Sequence, residues 1–145
     1  MSQTFHKIWL HFIWSTKNHT PLITKDLKTK LIWHIKEYGK ENNIYVDTVN
    51  GTSNHIHLLS GVLPTQTASY VANLIKGESS NWINNNDFIK PKFAWQGGYG
   101  VLSVSPSQVQ KVRDYIKNQE EHHRKMTYQE EVEKFMVAYG IQINK

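Results

Sequence analysis

Two runs with strand character, "NIYVDTVNG" (43–51) and "NHIHLLSGVL" (54–63), stand back to back between two segments of helical periodicity. No other feature limits the fold so strongly, because 43–63 then reads as a hairpin with a helix on either side. Upstream, "FHKIWLHFIWST" (5–16) is rich in β-branched and aromatic residues and reads as a first strand. "TPLI" breaks it, and Thr24 can cap a helix to about Asn42 with Leu27, Leu31, Ile35 and Tyr38 on one stripe. Downstream, a helix from Pro64 to about Asn84 turns Ala68, Val71, Ala72, Ile75 and Trp82 inward. A loop containing "WQGGYG" then leads into a fourth strand, 101–105. The order β-α-β-β-α-β is that of a ferredoxin-like split βαβ fold. The class expected is α+β: an RRM-like antiparallel sheet with helices on one face, followed by further C-terminal helices.

Those helices have their own signals. Ser105 can cap the first, with Pro106 at its first position and Gln108 completing a capping box. Its core stripe is Val109, Val112 and Ile116, and at 100° per residue Tyr115 and Gln119 fall together at one margin. A second box, "TYQE" (127–130), opens a last helix with Val132, Phe135, Met136 and Tyr139 in phase, and Gly140 ends it. At 145 residues the chain is the size of one domain, 1–145. A chain of this length buries about 68–70% of its unfolded surface.

Composition removes several classes of function. There is no cysteine, so disulfides and thiolate metal sites are excluded. No run reaches the roughly 18 apolar residues of a membrane span, and the N-terminus is interrupted by His6, Lys7 and His11 where a leader would be apolar. A soluble cytoplasmic protein is expected. The net charge of +5 is carried entirely by residues 1–40, where seven lysines face Asp26 and Glu37. Such a surplus suits either a solvated helix or a polyanionic partner.

Within "NHIHLL" (54–59), His55 and His57 are two residues apart on a strand and project to one face, with Ile56 and Leu58 turned to the other. They are either two core-edge histidines bonded to carbonyls or a pair of ligands for a divalent ion. Two imidazoles under-coordinate such an ion, and Gln119 offers a third donor. Tyr115 beside it offers a hydroxyl, a weak nucleophile with an ordinary pKa of about 10. Packing at the core edge would account for Tyr115 and Gln119 equally well without the histidines.

Taken together, "NHIHLL" on a central strand and "YIKNQ" on a helix after the fourth strand resemble the single-tyrosine HUH transposases of small insertion sequences and their repeat-associated relatives. "WSTKN", "LIKGESSNWI" and "FAWQGGYGVLSVSPSQV" extend the resemblance over nearly the whole chain. It implies that His55 and His57 are metal ligands, that Gln119 is the third, and that Tyr115, carried by the C-terminal helices, is the nucleophile. It implies Mg2+ or Mn2+, and a DNA transposase that cleaves and rejoins hairpin-containing single-stranded DNA through a 5′-phosphotyrosine, with no nucleotide cofactor. It also implies a homodimer whose composite active site takes the tyrosine helix from one subunit and the histidines from the other. In such proteins an acidic residue often precedes the first histidine; here Asn54 does.

Lys17, Lys25, Lys28 and Lys30 are the candidates for tracking a DNA backbone. His122 and His123 are read as finishing their helix, with no catalytic role. Two alternatives remain: a domesticated repeat-associated transposase acting on genomic palindromes, and a non-catalytic single-stranded nucleic-acid binder of RRM type. The second lacks the aromatic-rich strand on which such sheets stack bases.

Overall fold

The computed structural model describes residues 2–142. Its sheet has four strands, β1 (Ile8–Ser15), β2 (Tyr45–Gly51), β3 (His55–Val62) and β4 (Gly100–Val104), in the order β2-β3-β1-β4 with every pair antiparallel. This is the expected ferredoxin-like arrangement; β1, β2 and β3 are shorter than their apolar runs, and β4 begins one residue earlier than expected.

Two helices cover one face. α1 (Lys25–Glu41) is capped by Thr24, whose hydroxyl accepts from the Leu27 amide at 3.1 Å, and it buries Leu27, Leu31 and Ile35. α2 (Ala68–Asn85) starts later than Pro64 suggests, because Thr67 supplies the cap at 3.1 Å from the Tyr70 amide. Their apolar faces close on Phe12, Trp14, Ile56 and Leu58 to make the main core. Trp95 joins it edge-on against Trp14 and Phe93, so the "WQGGYG" loop begins as packing.

The opposite face carries α3 (Val109–Lys117), α4 (Gln119–His122) and α5 (Tyr128–Ala138). Val109 and Ile116 of α3 pack with Leu59 and Val104 in a second, smaller core. Two departures from expectation occur here. Pro106–Gln108 forms a 3-10 turn and Ser105 makes no side-chain cap, its hydroxyl lying 3.2 Å from that of Ser107. The helix of the tyrosine is also not continuous: at Asn118 (φ −100°, ψ 26°) the backbone leaves the α region, and the Asn118 amide is shared between the carbonyls of Asp114 and Tyr115. The second capping box forms as expected between Thr127 and Glu130, and Gly140 takes the left-handed φ of 66° past the end of α5.

Candidate active site

The site grows from strand register. On the face opposite the main core, β3 presents His55, His57 and Leu59 while β1 presents Trp9, His11, Ile13 and Ser15. Ser15 stands across from His55, and Ile13 across from His57, which makes His11 the diagonal neighbour of His57. His11, His55 and His57 are all buried. Gly51 sets where the first histidine sits. A Cβ there would lie 2.0 Å from the His55 carbonyl oxygen, so only glycine lets the β2–β3 turn close on His55.

Both histidines are oriented from behind. His55 Nδ1 lies 2.9 Å from Thr52 Oγ1 and 2.9 Å from Asn54 Oδ1, while the Thr52 hydroxyl donates to Asn54 Oδ1 at 3.2 Å. With that hydroxyl's proton so used, Nδ1–H of His55 is the donor of the cluster, and the ring turns Nε2 into the site. Asn54 therefore does with an amide oxygen what a carboxylate would do in its place. His57 Nδ1 lies 2.8 Å from His11 Nε2, and burial drops the His57 pKa to about 4, so the ring is neutral near pH 7.

Three C-terminal elements close over these rings. α3 brings Tyr115, with its ring centroid 5.9 Å from that of His57. α4 brings Gln119, wholly buried, with Oε1 3.1 Å from His55 Nε2. α5 brings Glu131, 1% exposed, whose Oε1 lies 3.2 Å from His55 Nε2, 2.9 Å from His57 Nε2 and 3.0 Å from His123 Nε2. Its other oxygen accepts from the Tyr115 hydroxyl and, at 3.3 Å, from the Gln119 amide. Burial alone would raise the Glu131 carboxyl. Hydrogen bonding from His55 and His57, with the Tyr115 hydroxyl, outweighs it and holds the carboxyl well below its usual range, so the group is ionised. Burial and Glu131 both raise Tyr115 well above an ordinary phenol, so its hydroxyl is protonated in this arrangement. Tyr128, held at about 12 chiefly by burial, leans on His55 with centroids 4.6 Å apart.

The structure thus brings His55, His57, Gln119 and Tyr115 together within one chain. It also brings in residues that sequence reading left outside. His123 turns its ring inward and does more than finish a helix, and His122 stacks on Tyr115 with centroids 4.4 Å apart. Glu131 left only a weak signal: an acidic residue in phase with Phe135 on a helix otherwise lightly buried.

The donor set fits a divalent cation. At His55, Nε2 faces an amide oxygen at 3.1 Å and a carboxylate oxygen at 3.2 Å, the mixed nitrogen and oxygen donors that a divalent cation takes. His55, His57, His123 and Glu131 each offer one ligand atom, all within 4.8 Å of one another.

The four lysines lie elsewhere. Lys17 is exposed in a 3-10 turn after β1, Lys30 is exposed and paired with Asp26 at 2.9 Å, and Lys28 reaches Glu120 at 2.7 Å. Lys25 and Lys28, with Arg124 and Lys125, line an open groove of about 680 Å³ that ends at His123 and Tyr128. Tyr115 opens on its other side to a groove of about 590 Å³ shared with His11, Lys111 and Phe135. Among the described residues no helix is long and apolar enough to cross a membrane.

Comparison with known proteins agrees with this picture. The family model "Transposase IS200 like" matches residues 4–119. A crystal structure of a candidate transposase from Deinococcus radiodurans R1 superposes with a TM-score of 0.65 at 22% identity, covering 82% of this chain and 98% of that one. A REP-associated tyrosine transposase bound to a REP hairpin superposes with a TM-score of 0.56 at 14% identity, covering 81% and 72%. No match was found among curated proteins.

Proposed function

Because the chain belongs to the IS200-like transposase family, we propose that it cleaves and rejoins hairpin-containing single-stranded DNA by transient attachment of a 5′-phosphate to Tyr115, with His55, His57 and Gln119 holding Mg2+ or Mn2+. The observation that carries this reading is the single carboxylate of Glu131, with the histidine pair at one oxygen and the tyrosine hydroxyl at the other. A phosphodiester between ligand set and nucleophile would have to bridge the same two places. One structural neighbour is bound to a REP hairpin, which supports a hairpin as the substrate.

When bound, the cation would offset negative charge on the phosphate oxygens of the reacting diester. The chain does the rest. α3 and α4 position Tyr115 and Gln119 on one side of the strand that holds His55 and His57. In the forward step a bond forms between Tyr115 Oη and phosphorus, and the phosphorus–O3′ bond breaks to release a 3′-hydroxyl. The phenol proton leaves toward the Glu131 oxygen that already accepts it and passes on to the departing 3′ oxygen, so the step is balanced. One phosphate ester replaces another, so attack by a 3′-hydroxyl reverses the step and rejoins the strand. His55, His57 and Gln119 are wholly buried, which keeps bulk water from the ligand side of the site. The chain acts as one domain, 1–145, in a homodimer whose active site is composite, the tyrosine helix of one subunit serving the histidines of the other.

Incubation of a labelled single-stranded hairpin with Mg2+ or Mn2+ tests the reading. The expected product is a covalent protein–DNA adduct with the intact chain. Tyr115→Phe should bind the hairpin and form no adduct, and His57→Ala should lose cleavage. Adduct formation by Tyr115→Phe would refute the assignment of the nucleophile.

A further inference from the structure

This inference rests on the reading that His55, His57 and Gln119 hold a cation, and it concerns what completes that site. α5 buries one side chain fully, and that residue is Glu131. An ionised carboxylate is among the costliest groups to remove from water, so a helix that merely covered a sheet would bury an apolar residue there. The imidazoles and the glutamine amide supply no negative charge. A divalent ion placed among them would keep its full charge in a site without solvent.

Three imidazole nitrogens from β3 and from the segment after α4 converge on one oxygen of Glu131, at 2.9–3.2 Å. The Gln119 amide is turned so that its NH2 meets Glu131 and its oxygen meets His55. These donor atoms face the same small volume, and among the described residues of the cluster Glu131 alone is acidic.

We propose that Glu131 is the anionic ligand of the bound cation, so that the metal clips α5 onto β3, and that this nitrogen-rich set takes Mn2+ in preference to Mg2+. Mg2+ keeps several waters and prefers oxygen donors, whereas imidazole suits the later divalent metals. His123 lies close enough to add a third nitrogen.

Titration of the full chain with Mn2+, read from the loss of the free-ion EPR signal, tests this without reference to cleavage. Glu131→Gln keeps the shape and removes the charge; it should weaken Mn2+ binding by at least about 10-fold, the lower end of what losing a metal's outer partner costs. Mg2+ should compete only at much higher concentration. In the wild type, saturating Mn2+ should slow amide hydrogen exchange across α5 relative to the same protein in EDTA, and in Glu131→Gln it should not. The wild-type exchange measurement stands alone if the variant fails to fold, and α5 amides unmoved by Mn2+ would overturn the proposal. So would Glu131→Gln binding Mn2+ as tightly as wild type, or binding it more tightly and cleaving faster, which would make Glu131 a competitor of the metal. Mg2+ binding as strongly as Mn2+ would overturn the preference. His57→Ala separates the two readings: if it loses Mn2+ while Glu131→Gln keeps it, only the role of Glu131 fails, and if both keep it the metal centre itself fails.

Discussion

His11 stands behind His57 and holds it. Its Nε2 is 2.8 Å from His57 Nδ1, and Phe135 packs edge-on against its ring at 5.4 Å. Burial, followed by the neighbouring His57, lowers the His11 pKa to about 3, so at neutral pH it is a neutral hydrogen-bond partner and no cation. A buried partner of this kind fixes which ring nitrogen a ligand presents, and its loss costs about 10–100-fold in metal affinity. His11→Phe should therefore keep the fold, judged by its melting temperature in EDTA, and weaken Mn2+ binding by that factor in calorimetry. Unchanged affinity would reduce His11 to a packing residue. The sequence does not announce this role, because the link between His11 and His57 is a diagonal across two strands 46 positions apart, set by register. Alternation alone was enough to put His55 and His57 on one face.

The tyrosine helix is held by β2 at two points. Asp47 sits where the β2–β3 register shifts between Val46 and Thr48, and it accepts from Arg113 of α3 at 2.7 and 2.8 Å. Asn50 donates to the carbonyls of Ile116 and Lys117 at 3.1 Å each, satisfying the end of α3 just before the break at Asn118. Hydrogen bonding from Arg113, working against burial and aided by Thr48, holds the Asp47 carboxyl below its ordinary 3.8. Its folded value is depressed, so the stability it contributes is present above pH 3.8 and is lost as pH falls through the lower, folded value. Asp47→Asn should lower stability at pH 7 and flatten the acid limb of the curve, measured as denaturant midpoints from pH 7 downward. An acid limb identical to wild type would show that Asp47 does not anchor α3. The break in the tyrosine helix has a local cause. Helical periodicity reads through Asn118, whereas the side chain of Asn118 bonds the Asp114 carbonyl at 2.9 Å and competes with the helix ladder.

Across the whole molecule the sheet divides labour between its faces. α1 and α2 build the core on one side; α3, α4 and α5 bring chemistry to the other. The lysine surplus of α1 meets the second side only at its start, where Lys25 and Lys28 line the groove beside His123 and Tyr128. A strand passing along that groove would reach the histidines from the sheet end. Removing Lys17, Lys25, Lys28 and Lys30 together should weaken hairpin binding and flatten its dependence on salt, by about 0.7 in the log–log slope for each lysine that meets a phosphate of a single strand. An unchanged slope would remove all four from the interface. What the sequence determined by itself was whatever depends on period and caps: four strands, the helices between them, the shared face of His55 and His57, and the neighbourhood of Tyr115 and Gln119. The tertiary structure alone decided that Glu131, His123 and His11 join them. A buried charge acquires its partners only when α5 folds back over the sheet, and neither a period of two nor one of 3.6 carries the position of one element above another.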